Sequence, residues 1–137
     1  MKLSNPAKAA LVGVCIIISV IGFMVKLPAV FRRHDQELHA VFYFLAAGFF
    51  NVLFAKRNIL RHALIFILLY FFGVAIEYAQ EYSNQYFRVK IHGRYDPEDV
   101  AYNLKGLLAF SALWIVYALA VTVYKMQRNK EVMENTK

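Results

Sequence analysis

The sequence predicts an all-α membrane protein with four transmembrane helices in a small bundle and both termini on the same side. Two observations carry this. Hydrophobic residues make up 60% of the 137-residue chain and mean hydropathy is +0.43, whereas a soluble domain is nearer half apolar. The excess is gathered into four blocks bordered by basic residues, each close to the ~20 residues that cross a hydrocarbon core. One such block can be a buried soluble helix; four in succession argue for membrane spans.

Residues 1–8 form a short basic N-terminal segment. The first span covers 9–25, an uncharged run between Lys8 and Lys26. It is long for the apolar region of a signal peptide, and no small-x-small cleavage site follows in "GFMVKLPAVF", so it reads as a retained span. Cys15 lies alone inside it and forms no internal disulfide. The second span, 38–55, follows "HDQEL", where Asp35 suits a helix cap. Three residues, Lys56, Arg57 and Arg61, crowd the loop "KRNILR", whose shortness makes the second and third spans an antiparallel hairpin. The third span covers 62–80. The fourth covers 97–124, with Asp96 as N-cap and Pro97 as first helical residue. Residues 125–137 read as a polar, fraying tail. Four spans place nine basic residues on the side of the termini and seven on the other, and the acid-free "KRNILR" is the densest group. Basic short loops stay inside, so both termini are expected in the cytoplasm of a multi-pass plasma-membrane protein. The net charge of +7 is thereby explained by membrane topology, and a nucleic-acid partner is excluded.

Polar residues gather where the second span begins, the third ends and the fourth begins. Asp35, His39 and Tyr43 follow at four-residue steps, so they share a helix face. Glu77 and Gln80 share a face at the end of the third span, Glu77 after an apolar run. Asp99, Asn103 and Gly106 share a face on the fourth. Topology puts all three sets on one side of the membrane, expected to be the outer one. Asp35, Asp96 and Asp99 also have plain readings as caps or as charges on the helix dipole, and Tyr82, Tyr86, Phe87 and Tyr95 suit a headgroup belt. Glu77 is the hardest to read as structural, because an ionisable group at membrane depth is costly.

These residues resemble the VanZ-like membrane proteins, a family named for a gene accompanying teicoplanin resistance. Asp35, His39 and Tyr43 resemble a first signature of Asp-Lys followed by His and Tyr, with Gln36 in place of the lysine. "IEYAQ", with Glu77 and Gln80, resembles a second. Arg94, Asp99, Asn103 and Gly106 in "GRYDPEDVAYNLKG" resemble a third. The resemblance spans roughly residues 35–120 and implies a small polytopic protein of the bacterial cell envelope.

The expected pocket is lined by Asp35, His39, Tyr43, Glu77, Gln80, Arg94, Asp99 and Asn103, with Pro97 and Gly106 structural. Its expected partners are membrane lipids, a lipid-linked wall precursor or an amphiphilic antibiotic, with Arg94 suited to a phosphate or carboxylate. The alternatives are a membrane enzyme acting on a lipid headgroup, with His39 and Glu77 or Asp99 as acid–base or metal-binding groups, and a small transporter or channel. No motif holds a serine or cysteine nucleophile, and no pair of histidines stands one turn apart. The expectation is therefore recognition rather than catalysis, with no metal and no cofactor.

Overall fold

The computed structural model describes residues 3–24, 34–87 and 95–135, and its described residues contain helices and no strand. The helices are α1 (Asn5–Met24), α2 (Asp35–Phe50), which continues as a π-helical turn over Asn51–Ala55, α3 (Ile59–Phe87) and α4 (Pro97–Glu134). All four are long and apolar enough to cross a membrane. Burial is inverted relative to a soluble protein. Ile18, Leu45, Leu60, Phe71 and Val116 are exposed, while His39, Asn51, His62, Glu77 and Asn103 are buried. An apolar surface around a polar interior is what a hydrocarbon solvent selects, since buried polar groups can pair while exposed ones cannot.

The spans lie where the apolar blocks lie, with longer ends. The 29 residues of α3 extend about 44 Å at 1.5 Å per residue, beyond the ~30 Å hydrocarbon core. Its last turns present exposed Tyr82, Tyr86 and Phe87, and Tyr78 stacks on Tyr95 at 4.9 Å. The tail differs from expectation: α4 remains helical to Glu134. The segment from Lys125 to Glu134 has no Gly or Pro to stop a helix.

The tightest packing is between α2 and α4 rather than within the α2–α3 hairpin. Gly106 allows it: a Cβ there would run into the carbonyl oxygen of Ala40. Small residues let helix backbones approach in membranes, where apolar side chains gain little by leaving lipid. Tyr43, Ala47, Leu69 and Leu107 fill the centre. α1 is peripheral and buries no residue fully, but the Phe23 ring packs on Phe42 at 4.8 Å and on Tyr43 at 6.2 Å.

The α2–α3 turn is closed by local chemistry. Lys56 takes φ 53°, ending the π turn, and its carbonyl accepts from Trp114 Nε1 at 3.3 Å. Asn58 Oδ1 accepts from the Arg61 amide at 3.0 Å, and the Arg61 guanidinium donates to the Phe54 carbonyl at 3.2 Å. A cation thus meets the negative end of the α2 dipole.

Candidate functional site

The beginnings of α2 and α4 and the end of α3 meet at one end of the bundle. Asp96 caps α4 by accepting from the Glu98 amide at 2.8 Å, with Pro97 as first residue. This puts Asp99 in the first turn and Asn103 one turn deeper. Asp35 differs from expectation. His34 occupies the cap position of α2 without a side-chain bond, and Asp35 is the first helical residue. Its carboxylate lies 3.9 Å from His39 Nε2.

His39, Tyr43, Glu77 and Asn103 are all buried, Tyr43 and Glu77 at 0% and 1% exposure. His39 Nδ1 lies 2.9 Å from Asn103 Oδ1. With that oxygen as acceptor, Nδ1 carries the proton and Nε2 keeps its lone pair. Glu77 Oε2 accepts from the Asp96 backbone amide at 3.2 Å, so the α4 cap also orients the α3 carboxylate. One ligating atom from each of His39, Glu77 and Asp99 lies within 4.8 Å of the other two. Three helices therefore present an imidazole and two carboxylates to one point. The expectation of no metal rested on the lack of a local spacing motif; the fold assembles a metal-capable set from separate helices.

Among the described residues, three buried side-chain atoms have no hydrogen-bond partner: Tyr43 Oη, Glu77 Oε1 and Asn103 Nδ2. Gly73, one turn below Glu77 on α3, lets the Asn103 and Tyr43 side chains pack close to its backbone. A Cβ built there would stand 2.8 Å from Asn103 Nδ2 and 2.9 Å from Tyr43 Oη.

The remaining expected residues fall around this centre. Gln80 turns away, its amide donating to the Phe23 carbonyl at 2.8 Å and tying α3 to α1. Phe23 covers the flank of His39 at a ring separation of 5.0 Å. Gln36 donates to the Glu98 carboxylate at the α2–α4 rim. Lys105 sits over the Tyr102 ring at 3.6 Å. Among the described residues no lysine or arginine pairs with Asp35, Glu77 or Asp99. Arg94 lies outside the described residues.

A second polar cluster, unforeseen in the sequence, sits toward the opposite end. His62 Nδ1 meets Asn51 Oδ1 at 2.8 Å, and its Nε2 meets Ser111 Oγ at 3.1 Å. The imidazole stacks on Trp114 at 4.2 Å, and Asn51 Nδ2 donates to the Ala47 carbonyl at 2.8 Å. Each side chain here has partners within the bundle. The signal was present only as single polar residues in or bordering apolar runs.

No family model matches the chain, and neither a curated protein nor a solved structure does.

Proposed function

We propose that this chain is a VanZ-like protein of the bacterial plasma membrane that recognises an amphiphile, its headgroup at the three-helix cluster and its tail along the bundle. The ligand classes are a membrane lipid, a lipid-linked wall precursor and a lipophilic glycopeptide or lipopeptide antibiotic. The supporting observation is the contrast between the two polar clusters. A structural lock satisfies its own groups, as Asn51, His62 and Ser111 do. The upper cluster leaves Tyr43 Oη, Glu77 Oε1 and Asn103 Nδ2 unpaired among the described residues, at a cost of about 1–3 kcal/mol each. A bound headgroup would recover that cost. An apolar groove of about 620 Å³ between α1, α2 and α3, lined by Ile16, Phe42, Leu69 and Phe72 among others, suits an acyl or prenyl tail.

The proximity of His39, Glu77 and Asp99 favours, as a second reading, a hydrolase or transferase acting on the bound headgroup. A channel through the chain is disfavoured, because Ala47, Leu69 and Leu107 fill the core between the two polar clusters.

The test is thermal stability of the purified chain against envelope lipids, lipid-linked precursors and lipophilic antibiotics. At least one class should raise Tm, since a ligand at a hundred times Kd adds about 2.7 kcal/mol. Gly73→Ala, whose methyl would press on the ends of the Tyr43 and Asn103 side chains, should lose that shift. A panel that leaves wild type unmoved, or moves both proteins equally, contradicts the reading.

In this reading both termini are cytoplasmic and the upper cluster faces outward, because Lys56, Arg57 and Arg61 crowd the exposed α2–α3 turn. In a Cys15→Ala background, a cysteine at Tyr86 should react with an impermeant maleimide on intact cells. One at Asn58 should react only after permeabilisation. The reverse pattern would place the cluster on the cytoplasmic face.

A further inference from the structure

We infer that the upper cluster binds a divalent transition-metal cation through His39, Glu77 and Asp99, and that this cation presents the site to an anionic oxygen of the headgroup. This deepens the recognition reading above and rests on it for the headgroup half of the claim.

The geometry comes first. Ligand atoms about 2.1 Å from a zinc-sized ion stand about 3–4 Å from one another. The three candidate atoms lie within 4.8 Å, so small side-chain rotations close the site. Each ligand comes from a different helix, which makes the separation a property of the packed bundle rather than of one flexible segment. Two ligands are already oriented from behind. With Asn103 Oδ1 accepting from His39 Nδ1–H, Nε2 is left as the lone-pair donor. The Asp96 amide holds Glu77 Oε2 and leaves Oε1 without a partner among the described residues. Outer partners of this kind fix the orientation and basicity of metal ligands.

Charge points the same way. Two carboxylates converge, a third belongs to Asp35 beside His39, and among the described residues no lysine or arginine pairs with them. Ionised carboxylates brought together at membrane depth repel, and a cation between them removes that repulsion. One imidazole with two carboxylates suits Zn²⁺ or Mn²⁺ better than Ca²⁺ or Mg²⁺, which take oxygen ligands.

Three protein ligands leave a coordination position open, as in zinc sites that hold a water or substrate. Tyr43 Oη and Asn103 Nδ2, both buried and without a partner among the described residues, are two hydrogen-bond donors of the same cluster. A headgroup oxygen that reaches them would accept from both. A phosphate or carboxylate headgroup could thus be held in a pocket whose own side chains are acidic.

The test uses the full chain, purified in detergent and stripped with EDTA. Zn²⁺, Mn²⁺ and Mg²⁺ are titrated by calorimetry, and Co²⁺ by its visible ligand-field bands, which report nitrogen and oxygen coordination in the wild type without any variant. The expected result is one Zn²⁺ or Mn²⁺ per chain and a Co²⁺ spectrum distinct from the hexaaquo ion. Glu77→Gln and Asp99→Asn should lose binding. Asn103→Ala should weaken it about 10–100-fold through His39. His62→Gln, in the other cluster, should leave it unchanged. No binding by wild type, or equal binding by the Glu77 and Asp99 variants, overturns the metal site. Headgroup binding is read separately: amphiphile stabilisation that persists in EDTA overturns the metal bridge and leaves recognition standing. Metal binding with no amphiphile shift in the presence of metal retains the cation site and overturns the headgroup half.

Discussion

Gly106→Ala is expected to destabilise the bundle by about 3 kcal/mol, the upper end of the cost of overpacking. The added Cβ would meet the Ala40 carbonyl. That obstacle is backbone in mid-helix and cannot rotate aside, so α2 and α4 must separate. This is the closest helix pair in the protein, and its opening loosens Tyr43 and Leu107 together, both at 0% exposure. It also moves His39 away from Asn103, so ligand and metal binding should fall with stability. Gly13→Ala is the matched control, because a Cβ at Gly13 meets nothing within 4 Å. That change should stay within about 0.5 kcal/mol, as for a substitution clear of any packing or polar contact. Unfolding in mixed detergent micelles with increasing sodium dodecyl sulfate compares the two, and equal midpoints would contradict the packing described for Gly106.

Glu77→Gln is expected to separate stability from recognition. Glutamine keeps the size of the side chain and an oxygen that can accept from the Asp96 amide, so the α3–α4 contact survives. What changes is the charge. Burying a carboxylate with Oε1 unpaired and no lysine or arginine partner among the described residues is costly. Without ligand the variant should therefore be as stable as wild type or more so, by up to about 1–3 kcal/mol. The same charge is what a cation or a hydrogen-bond donor of the ligand would meet. Affinity should fall by a hundredfold or more, about 3 kcal/mol, the usual range for losing a charged partner. A catalytic Glu77 would behave otherwise, with affinity retained and turnover lost.

The spans were legible because lipid imposes a composition: a helix surrounded by hydrocarbon must be apolar over about 20 residues, and four such runs stand out. The convergence of His39, Glu77 and Asn103 followed from counting which helix ends share a side, since short connections leave little freedom. Register was less legible. Asp35 resembled a cap, yet α2 starts one residue earlier and leaves it in the first turn beside His39. Gln80 shares a face with Glu77 by spacing, but its longer reach finds the end of α1 at Phe23. Long-range pairs were not legible at all. His62 and Ser111 are 49 residues apart; Ser111 stands alone in an apolar run, and His62 only borders one, beside Arg61. The π-helical turn that aims Asn51 at His62 has no sequence mark. The metal-capable set has no spacing signature for the same reason, since its three members come from three helices.

The central claim is that the upper cluster is a ligand site and the lower one a lock. The most direct measurement is the paired thermal stability of wild type and Glu77→Gln, each alone and with the amphiphile panel in the presence of Zn²⁺ or Mn²⁺. The account predicts a variant at least as stable as wild type when both are unliganded, and a ligand-induced rise in Tm for wild type that the variant lacks. A variant that is markedly less stable alone, yet gains as much as wild type from every stabilising ligand, would make Glu77 a structural residue and contradict the account.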